Sequence, residues 1–129
     1  MVNLKINSRK NPQDNQAPEL FYLRAIKKGL VDFERLAYLI SNQSTVREPD
    51  CLAVLRALEH NMLDQLGQGN VVQLGSLGNF QVGVRSDGTA TAEEQSPTNV
   101  RSAHLNYRAG KRIKKALKSL DYTLITTQS

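Results

Sequence analysis

The stretch NVVQLGSLGNFQVGV, residues 70–84, constrains the fold more than any other part of the chain. Apolar and polar residues alternate on both sides of Gly-Ser-Leu-Gly. A period of two sends successive side chains to opposite faces and marks a strand. Two such runs joined by a short glycine-containing segment predict an antiparallel hairpin, 70–74 against 79–84. Its glycines supply backbone angles that other residues resist. A dinucleotide-binding loop would need a third glycine and a helix after it. A KH-type Gly-x-x-Gly loop joins two helices, whereas both flanks here are strand-like.

Two helices precede the hairpin. Asp32 reads as an N-cap, with Arg35 where a capping box would place Glu. Phe33, Leu36, Ala37 and Ile40 follow at helical spacing on one face. SNQST breaks that helix. The next starts near Arg47, with Pro49 tolerated in the first turn and Glu48 and Asp50 suited to the positive end of the dipole. Leu52, Leu55, Leu58, Met62 and Leu66, flanked by Cys51 and Val54, form a broad apolar face that ends at Gly67 and Gly69. The face is wider than one short partner helix needs, so it is read as the seed of a dimer core. Aromatic bulk is scarce: Phe21, Phe33, Phe80 and four tyrosines, with no tryptophan. A core here must come from Leu, Ile, Val and Ala, and a 129-residue chain of this kind buries more by dimerising.

Beyond the hairpin, RSDGTATAEEQSPTN (85–99) reads as a flexible polar excursion, and VRSAHLNYR (100–108) alternates as a returning strand. AGKRIKKALKSL (109–120) reads as a helix with Ile113, Ala116, Leu117 and Leu120 inward and Lys111, Arg112, Lys114, Lys115 and Lys118 outward. DYTLITT (121–127) can form a last strand. At the other end, residues 2–6 alternate as a strand, SRKNPQDNQAPE (8–19) reads as a loop, and LFYLRAI (20–26) as a second strand.

The net charge is +5 and the pI about 9.6. Residues 1–30 are net +4, 31–70 net −3 and 71–129 net +4. Basic ends around an acidic middle point towards a polyanionic partner. The single cysteine, Cys51, excludes an intrachain disulfide and a thiolate metal cluster, and reads as a small core residue. No signal-peptide h-region and no membrane-spanning run is visible, so a cytoplasmic chain is expected. His60 and His104 have no metal spacing. Glu59-His60 lacks the second histidine of a zinc protease, and Ser76 lacks the strand-turn-helix of a nucleophile elbow. No enzyme, metal, cofactor or small-molecule ligand is expected.

Two helices, a hairpin, an excursion, a returning strand and a basic Gly-Lys helix occur in that order. Here the sequence resembles the HU/IHF family of bacterial DNA-bending proteins. VVQLGSLGNFQV is similar to that family's V-L-x-G-F-G-x-F segment, with Leu77 and Phe80 at its two aromatic positions. YRAGKRIKKAL is similar to its F-x-P-G-K-x-x-K helix start. The similarity covers roughly residues 32–120. Residues 1–31 and the tail resemble the longer HU-like proteins of Bacteroidetes. The resemblance implies an α+β, HU/IHF-like intertwined homodimer. Its parts would be two N-terminal helices, an antiparallel sheet with a short arm at about 85–100, a C-terminal basic helix and extra N-terminal strands. The implied organisation is a β extension (1–31), a DNA-binding domain (32–120) and a tail (121–129).

The implied partner is double-stranded DNA in the nucleoid, with no membrane. Arg108, Lys111 and Lys114 match the family's phosphate-contacting residues. Arg112, and Arg85 and Arg101 near the arm base, are further candidates. Phosphate contacts of this kind fix position without reading sequence. The arm departs from the family: residues 83–103 are net −1, the Arg-rich Asn-Pro tip is missing, Pro97 lies on the returning side, and Ala109 replaces a proline. An acidic arm is repelled by the minor groove, which weighs against wrapping and strong bending. SRKNPQ (8–13) carries basic residues before Asn-Pro, so Arg9 and Lys10 are candidates for a second DNA contact with Pro12 as a wedge; the plain alternative is a surface turn. The leading expectation is a sequence-tolerant architectural DNA-binding protein. The competing one is an HU-fold interaction or scaffold module with weak or no DNA binding.

Overall fold

A computed structural model of the chain describes residues 1–126. It is a mixed α+β structure of three helices and two small sheets, divided into two units.

The first unit joins Met1–Val31 to the chain from Leu117 onward. Strand β1 (Val2–Arg9) pairs antiparallel with β2 (Leu20–Ile26) and parallel with a short C-terminal strand, Tyr122–Leu124, giving a sheet with β1 in the centre. The strand that alternation predicts over 2–6 runs on to Arg9, so Ser8 and Arg9 leave the expected loop. Their backbone finds ladder partners in Phe21 and Leu20. The connection that follows is a chain of turns: the Asn11 carboxamide oxygen accepts from the Gln13 amide, and the Asp14 carboxylate from the Gln16 amide. Of the expected last strand over 121–127, residues 122–124 are paired, and residue 127 lies outside the described residues, as do the final two of the tail.

The second unit is Asp32–Ala116. Helix α1 (Phe33–Asn42) starts at Asp32, whose carboxylate accepts from the Arg35 amide at 2.9 Å. Helix α2 (Glu48–Gly67) has Arg47 as its N-cap and Pro49 in its first turn. It ends as Gly69 turns to φ +87°. The helices pack on each other, joined by an Arg56–Glu34 ion pair of 3.1 Å. Among the described hydrophobic residues only Ala37 and Cys51 are fully buried, at 0% and 4% exposure. The remaining apolar face is poorly covered within the chain. Leu52, Leu55, Met62 and Leu66 are half-buried, while Val54, Leu58 and Leu63 are exposed.

Strand β3 (Val72–Gln73), a 3-10 turn (Gly75–Leu77) and β4 (Gly78–Ser86) form the hairpin. Gly75 and Gly78 take φ of +52° and +142°, so both glycines are conformational requirements. Strand β5 (Val100–Ala109) returns along β4, with a bulge between Arg85 and Ser86. The register makes a two-faced ribbon. Phe80, Val82 and Val84 lie opposite Tyr107, Leu105 and Ala103 on one face. Asn79, Gln81, Gly83 and Arg85 lie opposite Arg108, Asn106, His104 and Ser102 on the other. Phe80 is half-buried, its ring 5.0 Å from that of Tyr107.

The excursion between β4 and β5 contains two 3-10 turns, Ala92–Glu94 and Pro97–Asn99. The Asp87 amide donates to the Asn99 carbonyl and the Gln95 side chain to the Asp87 carbonyl. Helix α3 (Lys111–Leu117) is shorter than the expected 109–120. Ala109 stays in β5, and a turn begins after Leu117. Of the four residues expected to face inward, Ile113 is half-buried and Ala116, Leu117 and Leu120 are exposed. The C-terminal strand Tyr122–Leu124 is β6.

Candidate functional site

The Gly-Ser-Leu-Gly turn and the Ala-Gly-Lys helix start are far apart in sequence and adjacent in the fold. Gly78 pairs with Ala109, and the Gly110 amide donates to the Leu77 carbonyl at 3.1 Å. The Tyr107 hydroxyl donates to that same carbonyl at 2.7 Å. A Cβ on Gly110 would overlap the Ser76 carbonyl, and one on Gly78 would overlap the Arg108 carbonyl. Glycine is therefore required at both positions for the two backbones to meet.

This joint creates an open cleft of about 510 Å³. Gln73, Gly75, Ser76, Gly78 and Asn79 line it from the hairpin; Arg108, Ala109, Gly110, Lys111 and Lys114 line it from β5 and α3. Arg108 reaches it from the polar face of the ribbon, where it pairs with Asn79. Lys111 and Lys114 are three apart on one side of α3, and the Lys114 amide closes the first turn on the Gly110 carbonyl. Three cations thus share one concavity whose lining contains no carboxylate. A multiply charged oxyanion is the ligand such a cleft favours. Sequence reasoning missed Asn79. Its Oδ1 is buried without a hydrogen-bond partner among the described residues. The signal was its position, opposite in parity to Phe80 and hence on the polar face.

The other candidates lie elsewhere. Arg112 does not line this cleft. Arg85 and Arg101 come together with Ser102 around a second hollow of about 350 Å³ at the base of the excursion. There Arg101 is held by Asp87 at 3.3 Å, in an exposed pair. Arg9, Lys10 and Pro12 gather in the first unit around a hollow of about 400 Å³, with the Arg9 guanidinium 5.9 Å from the centre of the Tyr22 ring. Among the described residues no three His, Cys, Asp or Glu side chains are placed to hold a metal ion, and no helix is long and apolar enough to cross a membrane.

A solved structure of a candidate bacterial DNA binding protein from Bacteroides vulgatus ATCC 8482 shares the fold, with a TM-score of 0.61 and 18% identity over 95% of this chain. This chain spans 48% of that protein's length. No curated protein sequence matches. The family described as "HU domain fused to wHTH, Ig, or Glycine-rich motif" matches residues 1–123, and the chain belongs to it.

Proposed function

We propose that the chain is a non-enzymatic, sequence-tolerant DNA-binding protein that acts as a homodimer and grips the phosphate backbone through Arg108, Lys111 and Lys114. The observation that carries this reading is the cleft with three cations and no carboxylate. Each cation can neutralise one phosphate and release a condensed counterion, which gives affinity without reading base sequence. The described solved structure from Bacteroides, a candidate DNA-binding protein, agrees with DNA as the partner. Arg112 and Arg85 add long-range positive potential. Arg101 contributes less while Asp87 holds it, and Arg9 and Lys10 supply a further contact from the N-terminal unit.

Surface area supports the dimer. The chain exposes 11239 Å². A compact monomer of this mass exposes about 6,800 Å², and two separate compact bodies of the two units' sizes about 8,200 Å². An obligate interface of 2,000–5,000 Å² in total removes about 1,000–2,500 Å² from each chain, so the excess of about 3,000 Å² per chain is large enough to supply one. It is apolar where a shared core would be: the α2 face and the Phe80–Tyr107 face of the ribbon. An architectural role in the nucleoid follows if such dimers coat duplex DNA. The excursion, with Asp87, Glu93 and Glu94, takes no part in minor-groove wrapping on this reading.

Binding of a short labelled duplex across a salt series tests the proposal. Intact protein should bind with a steep negative slope of log K against log salt. Lys111→Ala/Lys114→Ala should flatten that slope by about 2 per chain. A folded protein that does not bind duplex at low salt would refute the reading and favour a scaffold role.

A further inference from the structure

We infer that the polar face of the N-terminal sheet, centred on Lys5 and Arg24 with Lys27 beside them, is a second surface for the DNA phosphate backbone. The inference rests on the DNA-binding reading above and extends its N-terminal contact from Arg9 and Lys10 to a sheet face that the reading does not include.

The register places it. Lys5 lies directly opposite Arg24, Asn7 opposite Tyr22, and Arg9 opposite Leu20. Alternation sends Asn3, Lys5, Asn7 and Arg9 of β1 to one face with Tyr22, Arg24 and Ile26 of β2. Lys5, Asn7, Arg24, Ile26 and Lys27 line one hollow of about 540 Å³ on that side. The three strands of this sheet contain no Asp or Glu. The acidic residues of the unit are Asp14 and Glu19, in the connection between β1 and β2, and Asp121, just before β6. None forms an ion pair among the described residues, and neither Lys5, Arg24 nor Lys27 does.

Two like charges directly opposite across a strand pair are destabilising. This sheet keeps such a pair without any internal counter-charge, and an external anion would relieve it. Arg9 extends the row four residues along β1, a span of about 13 Å. Duplex DNA carries one negative charge per 1.7 Å of its axis with both strands counted, so about 13 Å of duplex carries about eight phosphates, more than this row needs as partners. The opposite face separates this ligand from a lipid surface. Ile6, Leu23, Phe21, Tyr122 and Leu124 all fall there, and all are exposed. A membrane would engage cations and apolar anchors on the same side; here most of the exposed apolar anchors lie opposite the cations, with Leu20 and Tyr22 sharing the cations' face.

The test uses the intact chain, a labelled duplex and a salt series, with two double variants side by side. Lys5→Gln/Arg24→Gln should flatten the log K against log salt slope by about 2 per chain, and combining it with Lys111→Ala/Lys114→Ala should add the two losses. Far-UV circular dichroism and a melting curve confirm that the exposed substitutions leave the fold intact. If the sheet variant keeps the wild-type affinity and slope while Lys111→Ala/Lys114→Ala loses them, the second surface is refuted and the DNA-binding reading stands. If the intact chain binds no duplex, both fall. If the sheet variant leaves duplex binding unchanged but abolishes capture by phosphatidylserine vesicles, the surface belongs to a membrane and the inference is overturned.

Discussion

The joint between the hairpin turn and α3 is the most exacting feature of the proposed site, and Gly110→Ala probes it. Gly110 has no positive φ, so the substitution carries no backbone penalty of that kind. Its cost is steric. The new methyl would overlap the Ser76 carbonyl and press on the Gly78 amide nitrogen. These are backbone atoms of a turn already fixed by two glycines, so they cannot rotate away as a side chain could. Relief requires α3 to move off the turn, which lengthens the Gly110–Leu77 hydrogen bond and carries Lys111 and Lys114 away from Arg108. Overpacking of this kind costs about 1–3 kcal/mol. In a domain of this size each kcal/mol lowers the melting temperature by about 4–8 °C. The assay is thermal unfolding at one fixed chain concentration, because a dimer's melting point depends on concentration. The same protein is then titrated with duplex. Gly88→Ala is the control, since a Cβ there meets nothing within 4 Å. It should stay within about 0.5 kcal/mol of wild type. A Gly110→Ala protein that melts with wild type and keeps its salt slope would refute the argument that the turn positions the helix.

Three further outcomes are expected. Tyr107→Phe removes the 2.7 Å hydrogen bond to the Leu77 carbonyl and should cost about 0.5–1.5 kcal/mol in denaturant unfolding, at the lower end because the site is partly exposed. Asp32→Ala deletes the α1 cap and should cost about 1 kcal/mol while leaving the salt slope of duplex binding unchanged. Asp87→Asn releases Arg101 from its ion pair; duplex affinity at low salt should rise and the slope should steepen by up to about 1 per chain.

The legible parts of this chain are those that local chemistry decides. Asp32 caps a helix because its carboxylate can reach an amide three residues on. Pro49 tolerates only a first turn, and Gly69 ends α2 in a conformation that suits glycine. Gly75 and Gly78 turn the hairpin for the same reason. Other features needed pairing partners that sit far away in sequence. Arg9 belongs to β1 because β2 offers it Leu20. Helix α3 ends at Leu117, although the apolar spacing continues to Leu120.

The site divides in the same way. Lys111 and Lys114 were visible as neighbours on a helix, and Arg108 through a family motif. That Gly75–Asn79 would face them depends on Gly78 falling opposite Ala109, which is a matter of register. Asn79 was overlooked because attention to the apolar parity of 79–84 leaves the polar parity unread. Lys5 and Arg24 were passed over similarly: each is one basic residue in an alternating strand, and only the β1–β2 register makes them a pair.

The central claim is that two chains together hold the backbone of one duplex. Sedimentation velocity of the intact chain with a short labelled duplex tests it most directly. The account predicts a low-salt complex with the mass of two chains and one duplex, dissolving as salt rises into free duplex and a protein dimer. Duplex that sediments alone at low salt, or a complex containing one chain, would contradict it.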